Sequence, residues 1–321
     1  MEPMRIFMTG GTGFLGSNII KVALERYNAD ILTTVHRWQT DQPMPFAYRA
    51  IDITDHDAVR DEVVAYQPDV VIHSAILNDF GQMYQNRRLA WQTYVDSTRA
   101  LCDAANAVGA KFIFVSTDWV YDGTQGPADE TTPPNPVNYY GLLKVVGETI
   151  VTDCAQNGAI ARVSGVSGTH WLRPNSSQTQ NAGFGYFAAA VVNSLAVGEP
   201  FTVWEGPVNM QATPGLASEN AEIILRIATR DQTGTFHCCA GESIGRFELA
   251  ELVADIFGLD RTLLRSGPVP ADDSVSLYGY RVPRDTSLDA RWTAERLYYT
   301  LPSVRQLIEK YRTEVETQAL A

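Results

Sequence analysis

The chain has 321 residues, 45% hydrophobic and 19% charged, an ordinary globular balance for one large domain or two modest ones. A core of that size closes without disulfide or metal staples. The net charge of −12 repels a phosphate backbone and sets nucleic acid aside as a partner, and no run of about 18 apolar residues points to a membrane. Cys102, Cys154, Cys238 and Cys239 form no CxxC pair or His-bearing cluster of zinc spacing, so they are read as reduced thiols and no metal is expected. The opening MEPMRIFMTGG enters a strand within a few residues and has no signal-peptide core, so the expected location is the cytoplasm.

In chain order, RIFMT (5–9) reads as a strand and leads into a helix from about Gly13 to Arg26. ILTTV (31–35) is the second strand, and a third ends at Ile51-Asp52 before a helix through Val59, Val63 and Val64. DVVIH (69–73), KFIFVS (111–116) and AIARV (159–163) are unbroken apolar runs of strand length, the pattern of parallel strands covered by helices on both faces. Helical stretches at about 89–108 and 138–156 separate them. Strand alternating with helix predicts an α/β fold, a doubly wound parallel sheet of Rossmann type over residues 1–168. GPADETTPPNP (126–136) is a surface loop before a helix. Beyond Gly168 the polar stretch WLRPNSSQTQNAGFG is read as the cover of a site, and helical patterns follow near 184–197, 216–229, 246–257 and 302–316. Residues 169–321 are assigned to a smaller α/β substrate-binding lobe over the carboxyl edge of the sheet, with part of 200–240 free to return to the first domain.

GGTGFLG sits between the first strand and the first helix, with Gly10, Gly13 and Gly16 spaced as G-x-x-G-x-x-G around Thr12, Phe14 and Leu15. Glycine lets the backbone turn tightly and approach a pyrophosphate held on the helix N-terminus, which points to a dinucleotide. No Lys follows, so this is not a GxxxxGK[ST] phosphate loop. After the second strand stands Val35-His36-Arg37 rather than an acid. A cation there pairs with a 2′-phosphate, so NADP(H) is preferred and NAD(H) stays open. Asp52 and Ile53 are placed for the adenine edge.

Tyr140 and Lys144 lie four apart on one helix face, in a chain with only four lysines. The ammonium is expected to pull the phenol, near 10 when free, down by about two pH units. Lys144 also suits the nicotinamide ribose. Thr117, at the carboxyl edge after KFIFVS, is the expected hydroxyl partner. Ser116 points to the other face by strand alternation, and Tyr139 is turned away from Lys144.

TGGTGFLG, DVVIHSA, STDWVYDG, N-x-YGLLK and the R-x-S-x-V-x-G of Arg162 to Gly168 resemble, in order, the extended short-chain dehydrogenase/reductase family over residues 4–168. STDWVYDG, GTFHCCAGESIGRFELA and PRDTSLD extend a resemblance to its dTDP-4-dehydrorhamnose reductase group to about residue 290. The resemblance implies Thr117, Tyr140 and Lys144 as catalytic triad, Ser74, Ala75 and Ile76 along the cofactor, and Asp118 and Trp119 at the substrate. The guanidinium forks of Arg281 and Arg284 are candidates for the phosphates of a nucleotide-sugar substrate. Three positions depart from the group: the stretch SAILNDFGQ, Gly165 where a Trp is usual, and Tyr94 where an Asn is usual.

Thr117-Asp118-Trp119 lacks the second acid of the family's dehydratases, and the acid-free loop at Arg37 disfavours an NAD-retaining epimerase. The expected activity is therefore NADPH-dependent reduction of a keto group. An NADP-binding regulatory subunit like that of methionine adenosyltransferase, or an epimerase, is the alternative. A homodimer is left open.

Overall fold

Period-2 alternation in the first strand already divides the core. Met8 and Ile6 pack toward one face of the sheet and Phe7 toward the other, all three fully buried. The computed structural model describes residues 2–36, 43–77, 79–174 and 179–321. The first elements are β1 (Arg5–Thr9), α1 (Phe14–Tyr27), β2 (Asp30–Val35), β3 (Ala47–Ala50), α2 (His56–Tyr66) and β4 (Val70–His73). Then come α3 (Phe80–Gln85), α4 (Arg87–Trp91), α5 (Ser97–Val108), β5 (Lys111–Thr117), α6 (Tyr139–Cys154) and β6 (Gly158–Val163). The second half adds β7 (Val166–Ser167), α7 (Phe187–Ala196), β8 (Phe201–Glu205), β9 (Gln211–Ala212), β10 (Gly215–Leu216), α8 (Ala217–Ala228) and β11 (Gly234–Cys238). Last are β12 (Ile244–Gly245), α9 (Arg246–Phe257), β13 (Leu264–Pro268), α10 (Ser274–Tyr278), β14 (Asp285–Thr286), α11 (Arg291–Leu297) and α12 (Val304–Thr317).

Seven parallel strands form the sheet in the order β11-β6-β5-β4-β1-β2-β3. This is the doubly wound sheet the alternation predicts, and its edge strand β11 comes from the second half. On one face, Ile19, Ile20 and Ala23 of α1 meet Ile223, Ile224 and Ile227 of α8. On the other, Val59 and Val63 of α2, Leu101 and Ala105 of α5, and Val151 of α6 close over Phe7, Phe112 and Phe114. A second core joins Phe187 and Val191 of α7, Leu249 and Val253 of α9, and Leu307 and Tyr311 of α12. Among the described residues no helix is long and apolar enough to cross a membrane.

Two expected boundaries move. The third strand stops at Ala50, because Asp52 Oδ1 accepts from Thr54 N and Oγ1 (2.9 and 2.8 Å) and turns the chain. The helix expected from about 89 begins earlier and is broken. Asp79 caps α3, Asn86 caps α4, and a π turn over Gln92–Asp96 follows, in which Ser97 N reaches back to Gln92 O.

Two buried cations pin the frame differently. Arg162 of β6 donates to Glu148 of α6 (Nη2–Oε2 2.6 Å, Nε–Oε1 2.9 Å), whose Oε1 also accepts from Ser116 Oγ at 2.5 Å. Arg246 opens α9 with no carboxylate. Its guanidinium donates to Gln180 Oε1 and to the carbonyls of Asn181, Gly183 and Asn209, and burial lowers its pKa to about 9.

Removing one partner of a buried ion pair strands the other. Glu148→Ala should therefore cost about 3–5 kcal/mol in a urea melt, and a loss below about 1 kcal/mol would contradict this account.

Candidate active site

The glycine turn is shaped by two close backbone approaches. Gly10 adopts φ +74°, and a Cβ there would lie 2.7 Å from Ala75 N; a Cβ on Gly16 would lie 2.0 Å from Gly10 O. Ser74 fixes that proximity, donating from N and Oγ to Thr9 O (3.3 and 2.7 Å), while Ala75 N donates to Thr9 Oγ1 at 3.3 Å. The ends of β1 and β4 are thereby tied edge to edge. Gly13 N-caps α1 without a side-chain acceptor, and no acid stands in the first turn. Half-buried Thr12, Gly13, Phe14 and Leu15 thus surround a positive helix end. A pyrophosphate fits such a helix end, whose turn closes only because glycine at 10 and 16 lets the backbone pack on Ala75 and on Gly10 itself.

The adenine-side candidates separate. Asp52 uses Oδ1 on Thr54, and its Oδ2 lies 3.5 Å from His36 Nε2. Ile53 packs half-buried on the α2 side of the core. Ile76 stands exposed just past Ala75. Arg37 lies outside the described residues, as do 175–178 of the stretch expected to cover a site.

Thr117 ends β5 beside the Tyr140 phenol. Tyr140 stands in the first turn of α6, whose cap Asn138 accepts from Gly141 N at 2.8 Å. Lys144 follows one turn later, 2% exposed, donating to Val115 O at 2.8 Å with the Phe114 and Tyr94 ring centroids 4.8 and 5.4 Å away. Ser116 does turn the other way, to Glu148, and Tyr139 leaves the site to donate to Arg87 O at 3.2 Å.

The electrostatics correct one expectation. The Tyr140 phenol is pushed up, not down: burial dominates, the neighbouring Thr117 hydroxyl opposes, and the Asp118 carboxylate raises it further. Lys144 supplies no compensating pull. Burial lowers its own pKa to about 7, and its ammonium is spent on the Val115 carbonyl.

Asp118, 4% exposed, has both oxygens filled by hydroxyls: Thr117 on Oδ1 at 3.0 Å, Ser164 and Thr286 on Oδ2 at 2.8 and 2.6 Å. Burial raises its pKa against these bonds. Trp119 packs edge-on to Tyr140 and Phe80, both at 6.1 Å, and Phe80 lies 5.1 Å from Tyr280. This aromatic wall beside the phenol went unread in the sequence. Its signals were the Phe in SAILNDFGQ and the tyrosines around YRVPRD, which share no spacing that announces contact. Ser164 and Thr286 lie inside the quoted R-x-S-x-V-x-G and PRDTSLD motifs, but nothing in those motifs tied them to Asp118.

Arg281 and Arg284 are held by their backbones. Arg281 O accepts from the α6 cap Asn138 Nδ2 at 2.9 Å, and Arg284 O from Met210 N at 2.8 Å. Both side chains are exposed, and neither forms an ion pair among the described residues. The Tyr94 hydroxyl donates to Leu77 O at 3.2 Å.

The family model described as RmlD substrate binding domain matches residues 4–317. Methionine adenosyltransferase 2 subunit beta of Bos taurus is 28% identical over 285 residues, covering 89% of this chain and 80% of that protein. The probable low-salt glycan biosynthesis reductase of Haloferax volcanii is 29% identical over 269 residues, covering 82% and 83%. The solved structure of dTDP-4-dehydrorhamnose reductase from Bacillus anthracis str. Ames in complex with NADP shares the fold, with a TM-score of 0.77 at 21% identity over 98% of this chain and 99% of that one.

A lysine lowered to about 7 has a consequence for stability. From about pH 7 to 10.5 the unfolded chain holds a proton that the folded chain lacks, so stability rises with pH across that window. Without dinucleotide, Lys144→Met should exceed the parent by on the order of 2 kcal/mol at pH 7, and the gap should close toward pH 10. Urea midpoints at the two pH values check this, and equal gaps at both would refute it.

Proposed function

The chain belongs to the RmlD substrate binding domain family, and on that premise we propose that it reduces a keto group on a nucleotide-linked sugar with NADPH. The carrying observation is the Tyr140 phenol, beside Thr117 and one helical turn before the buried Lys144, against an aromatic wall. In this reading Gly10, Thr12, Gly13, Phe14, Leu15 and Gly16 hold the pyrophosphate, and Asp52 and Ile53 border the adenine. Ser74, Ala75 and Ile76 flank the nicotinamide half, with Lys144 at its ribose. When bound, the cofactor supplies a hydride to the ketone carbon.

The protein supplies the proton. Negative charge grows on the ketone oxygen, and Tyr140 gives its hydroxyl proton to that oxygen. Burial keeps the phenol protonated at neutral pH until the acceptor becomes basic enough to take it. Thr117 spends its own hydrogen on Asp118 Oδ1, beside the phenol. Its role is then to aim the phenol rather than to bond the ketone. Asp118 acts through Thr117 because its oxygens are already filled, and Trp119 offers the sugar an apolar wall. Arg281 and Arg284 are the cations proposed for the substrate's diphosphate.

A second reading, an NADP-binding regulatory subunit, is favoured by the similarity to the bovine adenosyltransferase subunit. Consumption of NADPH against a panel of nucleotide-linked keto sugars separates the two. Tyr140→Phe keeps the ring, so NADPH affinity should hold while turnover falls by roughly 10²–10⁴. Near-normal turnover in that variant, or none by the parent on any keto sugar, would move the assignment to the binding role.

The cofactor preference rests on Arg37 after the second strand. The parent should bind NADPH over NADH, and Arg37→Glu should reverse the order. A tenfold preference of the parent for NADH, about 1.4 kcal/mol, would overturn the choice.

A further inference from the structure

We propose that residues 169–173, just after β7, form a second wall of the dinucleotide site and that Arg173 is a direct ligand of the pyrophosphate; this rests on the dinucleotide reading above. The segment is fastened along the first two turns of α1. Asn18 Nδ2 donates to Thr169 O at 2.9 Å, Trp171 Nε1 donates to Asn18 Oδ1 at 2.8 Å, and Lys21 Nζ sits 4.4 Å above the Trp171 ring. The Phe14 ring, on the first residue of the helix, is enclosed edge-on by His170 at 6.1 Å and Tyr186 at 4.8 Å. Tyr186 adopts φ +60°, a backbone strain that the surrounding packing has to sustain.

Arg173 ends the segment on the glycine turn itself, where Nη2 donates to Thr12 O at 2.7 Å. That carbonyl anchors the guanidinium without neutralising it. The side chain is exposed, forms no ion pair among the described residues, and keeps its other N–H groups for a further acceptor. The turn it touches carries the uncapped helix end, so two independent sources of positive potential converge there.

A second observation at the same helix end points to a ligand. His170 is 6% exposed, and its Nε2 is buried without a partner. Ser17 Oγ donates to Phe14 O at 2.9 Å, which leaves its lone pairs for His170 Nδ1 at 3.4 Å. Among the described residues nothing then satisfies the remaining ring nitrogen, Nε2. The Nδ1–H goes to Ser17 and burial keeps the ring neutral, so Nε2 is a buried acceptor suited to a hydroxyl of the ligand, while the unpaired guanidinium at the anion-binding turn is the group that meets its phosphate. Pyrophosphate is the phosphate that turn accommodates, whereas a 2′-phosphate would sit past β2.

Calorimetric titration of NADPH and of NADH into the parent, Arg173→Ala and Arg173→Lys tests this. Arg173→Ala should weaken both dinucleotides about tenfold and by similar factors, since both carry the pyrophosphate. Arg173→Lys should recover part of the loss. Raising the salt should weaken the parent more than Arg173→Ala. The unliganded melting temperature should stay unchanged, because the side chain is exposed. Unaltered affinity for both dinucleotides in Arg173→Ala overturns the assignment, as does a loss confined to NADPH, which would place Arg173 on the 2′-phosphate. A parent that binds neither dinucleotide sinks the functional reading itself, an outcome distinct from both.

Discussion

A carboxylate buried without an ion-pair partner has to be satisfied by neutral donors, and at Asp118 that requirement decides where three parts of the chain meet. Thr117 comes from the end of β5, Ser164 from the exit of β6 and Thr286 from β14. An unsatisfied oxygen here would carry a desolvation cost comparable to a large share of a domain's net stability. Each hydroxyl is therefore held in place as firmly as the fold itself. The bonds continue outward: Asn209 Nδ2 donates to Thr286 Oγ1 at 2.7 Å, and Asn209 O accepts from Arg246, which also gathers 180–183. The Thr117 hydroxyl beside the Tyr140 phenol is thus held by residues from both halves of the chain.

Lys144 and Arg246 share a way of burying charge. Each is solvated by backbone carbonyls and aromatic faces instead of a carboxylate, and each is lowered in consequence, to about 7 and about 9. Glu148 and Arg162 show the opposite solution a short distance away, as a closed pair. The closed pair fixes α6 on the sheet, while the open cation on the same helix keeps its charge uncommitted to any acid. Sheet and helix alone do not choose a reaction, since similar folds carry different chemistry; this local division of charge is what gives the site its character.

Much of this was legible in the residues. Strands covered on both faces must be apolar throughout, so β1, β4, β5 and β6 announced themselves. The glycine turn was readable because only glycine survives the approach of Gly10 to Ala75 and of Gly16 to Gly10. Tyr140 and Lys144 were found by helical period. What escaped was non-local. Ser164 and Thr286 are ordinary hydroxyl residues until the fold brings Asp118 between them, and Phe80 and Tyr280 are 200 positions apart in the chain. The direction of the Tyr140 shift was misread because spacing reveals a neighbouring charge but not the desolvation that outweighs it. The end of β3 was set by a side-chain bond from Asp52 that no hydropathy pattern records.

The π turn at Gln92–Asp96 has a meaning for how such a chain changes over time. One surplus residue rotates everything beyond it by about 100° relative to what precedes it. Before Ser97 the helix serves the site, with Tyr94 against Lys144. From Ser97 onward it serves the core, with Ser97 meeting His73 at the tip of β4. The helix therefore holds two registers joined by a single residue. Substitutions in the stretch from Phe80 to Tyr94 can reshape one side of the joint and leave the packing of α5 untouched.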